Sequence, residues 1–267
     1  MKPTLTAHRA YFFVVFWFTL WVGYFGFFRP EEILRALPWP VPPLHARFVG
    51  GIYLGATTFL ALSLFARSLA AVRMVVRIAF WWTGWLLVVT FVHWSAFDFD
   101  RIQTWFWLVA YIAFPLAAAW LAWGGGTPHA EVAAGDRWQS RALAGVTFGL
   151  GGAFVVLAAV SFFAPPWTVA IWPWKLTPFL AQIYSGPILA FGIGLVEIAR
   201  RRSRVEARFP ALGLLVASSL GIVASLRHAP LFAAGSLSRT VWYAALGVIA
   251  CFSLVLTATS FREGSNR

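Results

Sequence analysis

An all-α integral membrane protein is what the sequence predicts: eight transmembrane helices, arranged as two tandem four-helix repeats of the same orientation. Three observations lead there. Hydrophobic residues make up 60% of the 267-residue chain and charged residues only 11%, against about 25% charge in an average soluble domain. Apolar stretches of about 20 residues recur, each long enough to cross a ~30 Å hydrocarbon core. The chain also repeats itself, without a gap, after 135 residues. Pro30 meets Pro165, Pro38 meets Pro173, Trp39 meets Trp174, Pro43 meets Pro178, Gly51 meets Gly186, Arg67 meets Arg202, Arg73 meets Arg208, His93 meets His228 and Trp107 meets Trp242. Prolines, tryptophans and histidines sharing one register do not arise from apolar composition alone.

The expected spans are Ala10–Phe28, Phe48–Ala66, Ile78–Phe97, Ile102–Trp123, Leu143–Phe163, Pro178–Ile198, Ala211–Leu226 and Thr240–Thr259. The first follows a basic start (Lys2, His8, Arg9) but is long, offers no small-residue cleavage site and has a counterpart in the fifth, so it reads as a mature helix rather than a signal peptide. After it, Pro30 suits a first helical position and Glu31 and Glu32 suit the positive end of a helix dipole. This segment and its partner from Pro165 read as short interfacial helices anchored by tryptophan. Gly51-xxx-Gly55 and Gly186-xxx-Ala190 give the second and sixth spans small faces for close packing, and Gly213-xxx-Ala217-xxx-Gly221 does so for the seventh. The equivalent face of the third span is Ile78, Trp82 and Leu86, so the two repeats are not expected to pack identically. Residues 1–123 form the first repeat, 143–267 the second, and 124–142 a cytoplasmic linker opened by Gly124-Gly125-Gly126-Thr127-Pro128.

Even span counts put both termini on one side and give both repeats one orientation, with the pseudo-two-fold axis along the membrane normal. Seven of the 21 Lys and Arg residues fall opposite the termini: Arg29, Arg35, Arg47, Arg101, Lys175, Arg227 and Arg239. The other 14 lie on the termini's side, which predicts cytoplasmic termini by the positive-inside rule. The net charge of +12 is therefore placed at membrane boundaries, and nucleic acid is not an expected partner. Expected partners are membrane lipids, anionic headgroups included, and other membrane subunits.

Three groups of residues bear on chemistry. Opposite the termini, Glu31, Glu32, His45, Arg47, His93, Asp98, Asp100 and Arg101 gather acids and histidines in the first repeat. The second repeat places Pro166, Leu180 and Ala233 at three of these positions, so an outward-opening polar site is sought in the first repeat. On the termini's side, Arg67, Arg73, Arg77, Arg200, Arg201, Arg202, Arg204 and Arg208 suit anionic headgroups. Glu197 is the one membrane-embedded acid, one turn before Arg201 and able to pair with it. His93 and His228 sit at span ends, where axial haem ligands are not usual, and no cofactor or metal is expected. Cys251, alone in the chain, reads as a small core residue. No nucleophile elbow, phosphate loop or zinc motif occurs.

Two segments, Pro42-Pro43-Leu44-His45-Ala46-Arg47-Phe48-Val49-Gly50-Gly51-Ile52-Tyr53-Leu54 and His93-Trp94-Ser95-Ala96-Phe97-Asp98-Phe99-Asp100, resemble motifs of uncharacterised bacterial polytopic integral membrane proteins. The resemblance implies a bacterial plasma membrane location and brings no known activity. The expectation for function is a non-enzymatic accessory or scaffold subunit, or a binder of lipid or another hydrophobe. A small-solute or lipid transporter with its path on the pseudo-two-fold axis is the alternative, favoured by breaks such as Gly186-Pro187. A membrane enzyme with a polar site opposite the termini comes third.

Overall fold

A computed structural model describes residues 4–124, 140–232 and 235–261. Among these residues the chain is all-helical, with eight helices long and apolar enough to cross a membrane. They are α1 (Leu5–Phe28), α2 (Pro43–Leu64), α3 (Leu69–Val92), α4 (Ile102–Trp123), α5 (Arg141–Phe163), α7 (Pro178–Arg201), α8 (Arg204–Arg227) and α9 (Leu237–Phe261). The short α6 (Pro165–Ile171) and a 3-10 turn at Pro30–Arg35 occupy the positions expected for interfacial segments, each opened by proline. Most of the expected linker, with Arg137, lies outside the described residues, as do Lys2, Ala233, Arg262 and Arg267.

Six spans start earlier than hydropathy suggested: α1 at Leu5 rather than Ala10, α5 at Arg141 rather than Leu143 and α9 at Leu237 rather than Thr240, with shifts of five residues or more in three others. α2 begins at Pro43 rather than Phe48, α3 at Leu69 rather than Ile78, and α8 at Arg204 rather than Ala211. The reason is capping. Ser68 accepts a hydrogen bond from Ala71 N at 3.3 Å and Ser203 one from Glu206 N at 3.3 Å, each satisfying a free N–H of a helix start. Pro43 stands in the first turn of α2, where its missing N–H costs nothing. The charged residues ahead of the expected apolar stretches are thus helical: Arg73, Arg77 and Glu206 project from helices, not loops. α3 also stops at Val92, before the expected Phe97, and a short turn at Trp94–Ala96 follows.

α1 packs on α2, α3 on α4, α5 on α7 and α8 on α9. Between the halves, α2 packs on α8 and α7 on α3, while α3 also meets α8. The four helices α2, α3, α7 and α8 therefore make the centre. Small residues set these approaches. A Cβ on Gly50 would lie 2.3 Å from Phe27 N in α1, and one on Gly192 2.9 Å from Val155 N in α5. Across the halves, Phe59 fills the space beside Gly213, with 2.5 Å to an added Cβ, and Ile78 fills that beside Gly194, with 2.8 Å. At the 135-residue offset these two pairs exchange roles: Phe59 corresponds to Gly194 and Ile78 to Gly213.

Other contacts recur at the same offset. Trp107 Nε1 donates to Thr90 Oγ1 at 3.0 Å, and Trp242 Nε1 to Ser225 Oγ at 2.9 Å. The Trp39 ring lies 4.8 Å from that of Trp107, and Trp174 4.9 Å from Trp242. Trp39 also meets Phe97 at 5.4 Å, and Trp174 meets Phe232 at 5.2 Å. α5 and α9 are the helices with most outward-facing residues, and Cys251 on α9 is exposed rather than in the core.

Candidate functional site

The face at which α1 begins is called the near face below, and the opposite one the far face. On the far face, the eight polar residues of the first half do not form one cluster. His45 is buried in the first turn of α2 against the other half. Its Nε2 meets Lys175 O at 2.9 Å and its Nδ1 meets Tyr184 Oη at 2.6 Å. A carbonyl only accepts, so Nε2 carries the proton and, in the neutral ring, Nδ1 accepts from the tyrosine hydroxyl. His93 Nε2 bonds Gln182 Oε1, whose amide nitrogen donates to Phe162 O at 2.8 Å. Arg47 donates through Nη1 to His228 Nε2 at 2.6 Å. Gln182 and Arg47 correspond at the 135-residue offset, as do the two histidines, so these last two contacts are counterparts that stitch the halves together.

The remaining residues serve locally. Glu32 is held by Arg29 and by Arg35, the latter at 3.0 Å. Arg101 donates to Pro38 O at 3.3 Å and Leu34 O at 2.5 Å. Asp98 Oδ1 accepts from Asp100 N at 3.1 Å, and both aspartates are exposed. Glu31 comes within 4.0 Å of Arg47 and no nearer. The expected outward polar site is thus divided among separate partnerships. Its histidines turned inward because the start of α2 and the end of α3 place them on faces that meet the neighbouring half.

The near-face arginines also divide. Arg73 pairs with Glu206 at 2.8 Å, Arg77 with Glu197, and Arg201 with Glu206 at 3.6 Å and Glu197 at 3.9 Å. These five side chains join α3, α7 and α8, and the Glu206 side chain is only 1% exposed. Glu197 and Glu206 draw Arg73, Arg77 and Arg201 between helices, apart from the exposed arginines of this face. Arg208 Nε donates to Ser260 O at 2.8 Å. Arg67 and Arg200 are exposed, and Arg200 lies over the Phe148 ring. Arg202 ends α7 in the left-handed region, at φ 55°, and Arg204 opens α8.

A chamber of about 120 Å³ lies in the second half, walled by α5, α7, α8 and α9 and by Phe48 and Ile52 of α2. Its lining is apolar. The hydroxyl of Ser218 donates to Leu214 O at 2.8 Å and so is occupied. The chamber has a counterpart between α1, α2, α3 and α4, reduced there to about 20 Å³. Trp82, Tyr53 and Tyr111 fill it, with the Trp82 and Tyr53 rings 5.4 Å apart and the two tyrosine hydroxyls bonded to each other. At the offset these three become Ala217, Ile188 and Leu246. Thr19, Ala56 and Ala79 change the other way, to Phe154, Phe191 and Leu214, but do not refill the space. α1 packs on α4 in the first half, and α5 has no comparable packing on α9. Gln182, Tyr184 and Glu206 escaped the sequence reading, although Ser203-Arg204-Val205-Glu206 spells a capping box. The chamber's sequence signal is the contrast between Trp82 and Ala217.

Comparison with known proteins adds no assignment: no family model, curated protein or solved structure matches this chain.

Proposed function

We propose that this chain is a non-enzymatic membrane protein that holds a hydrophobic molecule in the chamber of its second half. One observation carries the reading. Equivalent positions are plugged by Trp82, Tyr53 and Tyr111 in one half and left open by Ala217, Ile188 and Leu246 in the other. An engineered apolar cavity of about 150 Å³ stays dry and binds benzene; a 120 Å³ chamber with an open side suits an aromatic ring or a length of aliphatic chain. The space between the halves is filled, with Leu86 against Gly186 and Leu220 against Gly51, which favours binding at the side over an aqueous path on the axis.

The same reading takes the chain as a duplication of a four-helix unit. Support comes from the paired tryptophan contacts, the paired histidine contacts and the matching helix partnerships. The near face is cytoplasmic by the positive-inside rule, in a bacterial plasma membrane, with the exposed Arg67 and Arg200 available to anionic headgroups.

The test fills the chamber. Ala217→Trp copies the first half; because Ala217 also packs closely on Gly55 of α2, Leu246→Tyr, which copies Tyr111, is the second variant. Protein purified in mild detergent is extracted and its bound hydrophobes are identified by mass spectrometry. The wild type retains a hydrophobe at a fixed ratio, and both variants lose it at least about tenfold (~1.4 kcal/mol) while still melting cooperatively. Folded variants that retain it undiminished overturn the reading.

A further inference from the structure

We infer that the occupant of the chamber is an anionic membrane lipid of the far leaflet, its chain in the chamber and its phosphate under a cationic rim. The inference rests on the hydrophobe-binding reading and adds the class of ligand. It comes from a second asymmetry, independent of the first. On the far face of the first half, acids balance bases: Glu31, Glu32, Asp98 and Asp100 stand among Arg29, Arg35 and Arg101. No acid stands on the far face of the second half, where Lys175, Arg227 and Arg239 are the charged residues. The half with the open chamber is the half with the unopposed positive rim.

The rim stands over the chamber. Arg239 lies three residues before Trp242 on α9, about one helical turn nearer the far face, and Trp242 lines the chamber. Lys175 follows Trp174, whose ring packs 4.9 Å from Trp242 and 5.6 Å from Phe48, another lining residue. Arg47 precedes Phe48 and leans across to His228, which caps α8 beside Arg227. The nearest acid, Glu31, is 4.0 Å from Arg47 and its side chain is 70% exposed, so it offsets this charge only weakly. Lys175 and Arg227 are exposed, just before α7 begins and at the last residue of α8.

Depth agrees with one leaflet. Along α9 the lining runs from Trp242 to Ile249, roughly 10 Å at 1.5 Å per residue, within the ~15 Å of one leaflet's hydrocarbon. Arginine and lysine are the residues that recognise phosphate. The indole N–H of Trp172, in the chamber wall, is buried with no acceptor among the described residues, and it offers a donor to a lipid carbonyl.

The experiment adds dioleoyl phosphatidylglycerol or dioleoyl phosphatidylcholine to delipidated full-length protein and counts bound lipid by native mass spectrometry. The wild type is expected to bind the anionic lipid at least about tenfold more tightly. In the triple variant Lys175→Gln, Arg227→Gln, Arg239→Gln that preference falls to near parity, at an unchanged melting temperature. Inorganic phosphate in excess leaves the bound lipid in place. Equal binding of both lipids by the wild type overturns the inference, as does a preference that survives in the triple variant or displacement by free phosphate. If both lipids bind equally and Ala217→Trp expels both, hydrophobe binding stands and only the headgroup assignment fails. If Ala217→Trp expels neither, the chamber itself is not the site.

Discussion

Replacing Glu206 by glutamine is expected to destabilise the protein more than any other single change at the near face. Its carboxylate lies 2.8 Å from Arg73 and 3.6 Å from Arg201. Glutamine keeps the size and removes the charge, leaving Arg73, Arg77 and Arg201 to share Glu197. Charges about 4 Å apart attract by about 4 kcal/mol at an effective dielectric constant near 20. Breaking a buried pair by removing one partner costs about 3–5 kcal/mol, because the other charge is left uncompensated. At about 2–4 °C per kcal/mol for a chain of this size, Glu206→Gln should melt about 6–20 °C below the wild type. Melting is followed in one detergent at a fixed scan rate. The double variant Arg73→Met, Glu206→Met supplies the contrast. Replacing a buried pair by apolar side chains is often neutral or stabilising, so it should recover most of the loss. A Glu206→Gln protein that melts within about 2 °C of the wild type, or a double variant worse than the single one, would refute a buried network joining the halves.

Two further outcomes are expected. Gly50→Ala should cost about 3 kcal/mol or more, since its Cβ would sit 2.3 Å from Phe27 N and 2.6 Å from Gly26 C, backbone atoms that cannot turn aside; Gly149→Ala, with nothing within 4 Å of the new methyl, should gain about 0.5–1 kcal/mol of helix stability, and equal melting temperatures for the two would refute the close approach of α1 and α2. His228, just beyond α8, is held below its ordinary value of 6.5 by burial and by the neighbouring Arg47 and Arg227, against Glu31. The folded state then resists a proton that the unfolded chain accepts, so stability is lost as pH falls below about 6.5; melting from about pH 8 to 5 should show less of this loss in His228→Gln, and parallel curves for the two proteins would sink the assignment.

The spans were legible because hydropathy over about 20 residues measures what a bilayer requires of a helix. Their starts were less legible. A window that weighs charge as a sign of loop excludes Arg73, Arg77 and Glu206, yet the caps at Ser68 and Ser203 begin those helices well before the apolar stretch. The directions of the polar residues were less legible for a related reason. Sequence places His45, Arg47 and His93 near helix ends, where the structure has them. It does not give the direction in which each end faces once eight helices pack, and that direction turned the three residues toward Tyr184, His228 and Gln182.

Comparing the halves with each other reached further than reading either alone. Residues kept in both, such as Trp107 with Trp242 and Trp39 with Trp174, make the same contacts twice and belong to the scaffold. Polar residues found in only one half first suggested a site, but such residues also bind across the two halves. Glu206 and His45 have Ala71 and Leu180 at the offset, and each binds across the halves. Apolar divergence has no such use. Exchanging Trp82 for Ala217 forfeits aromatic packing beside α7 and leaves an opening that dispersion forces alone would close. The chamber is open at its side, so a hydrophobe can enter it and remake the dispersion contacts that Trp82 makes in the first half. Those unmade contacts are the physical ground for seeking the ligand among the small residues of the second half and not among the charged residues of the first.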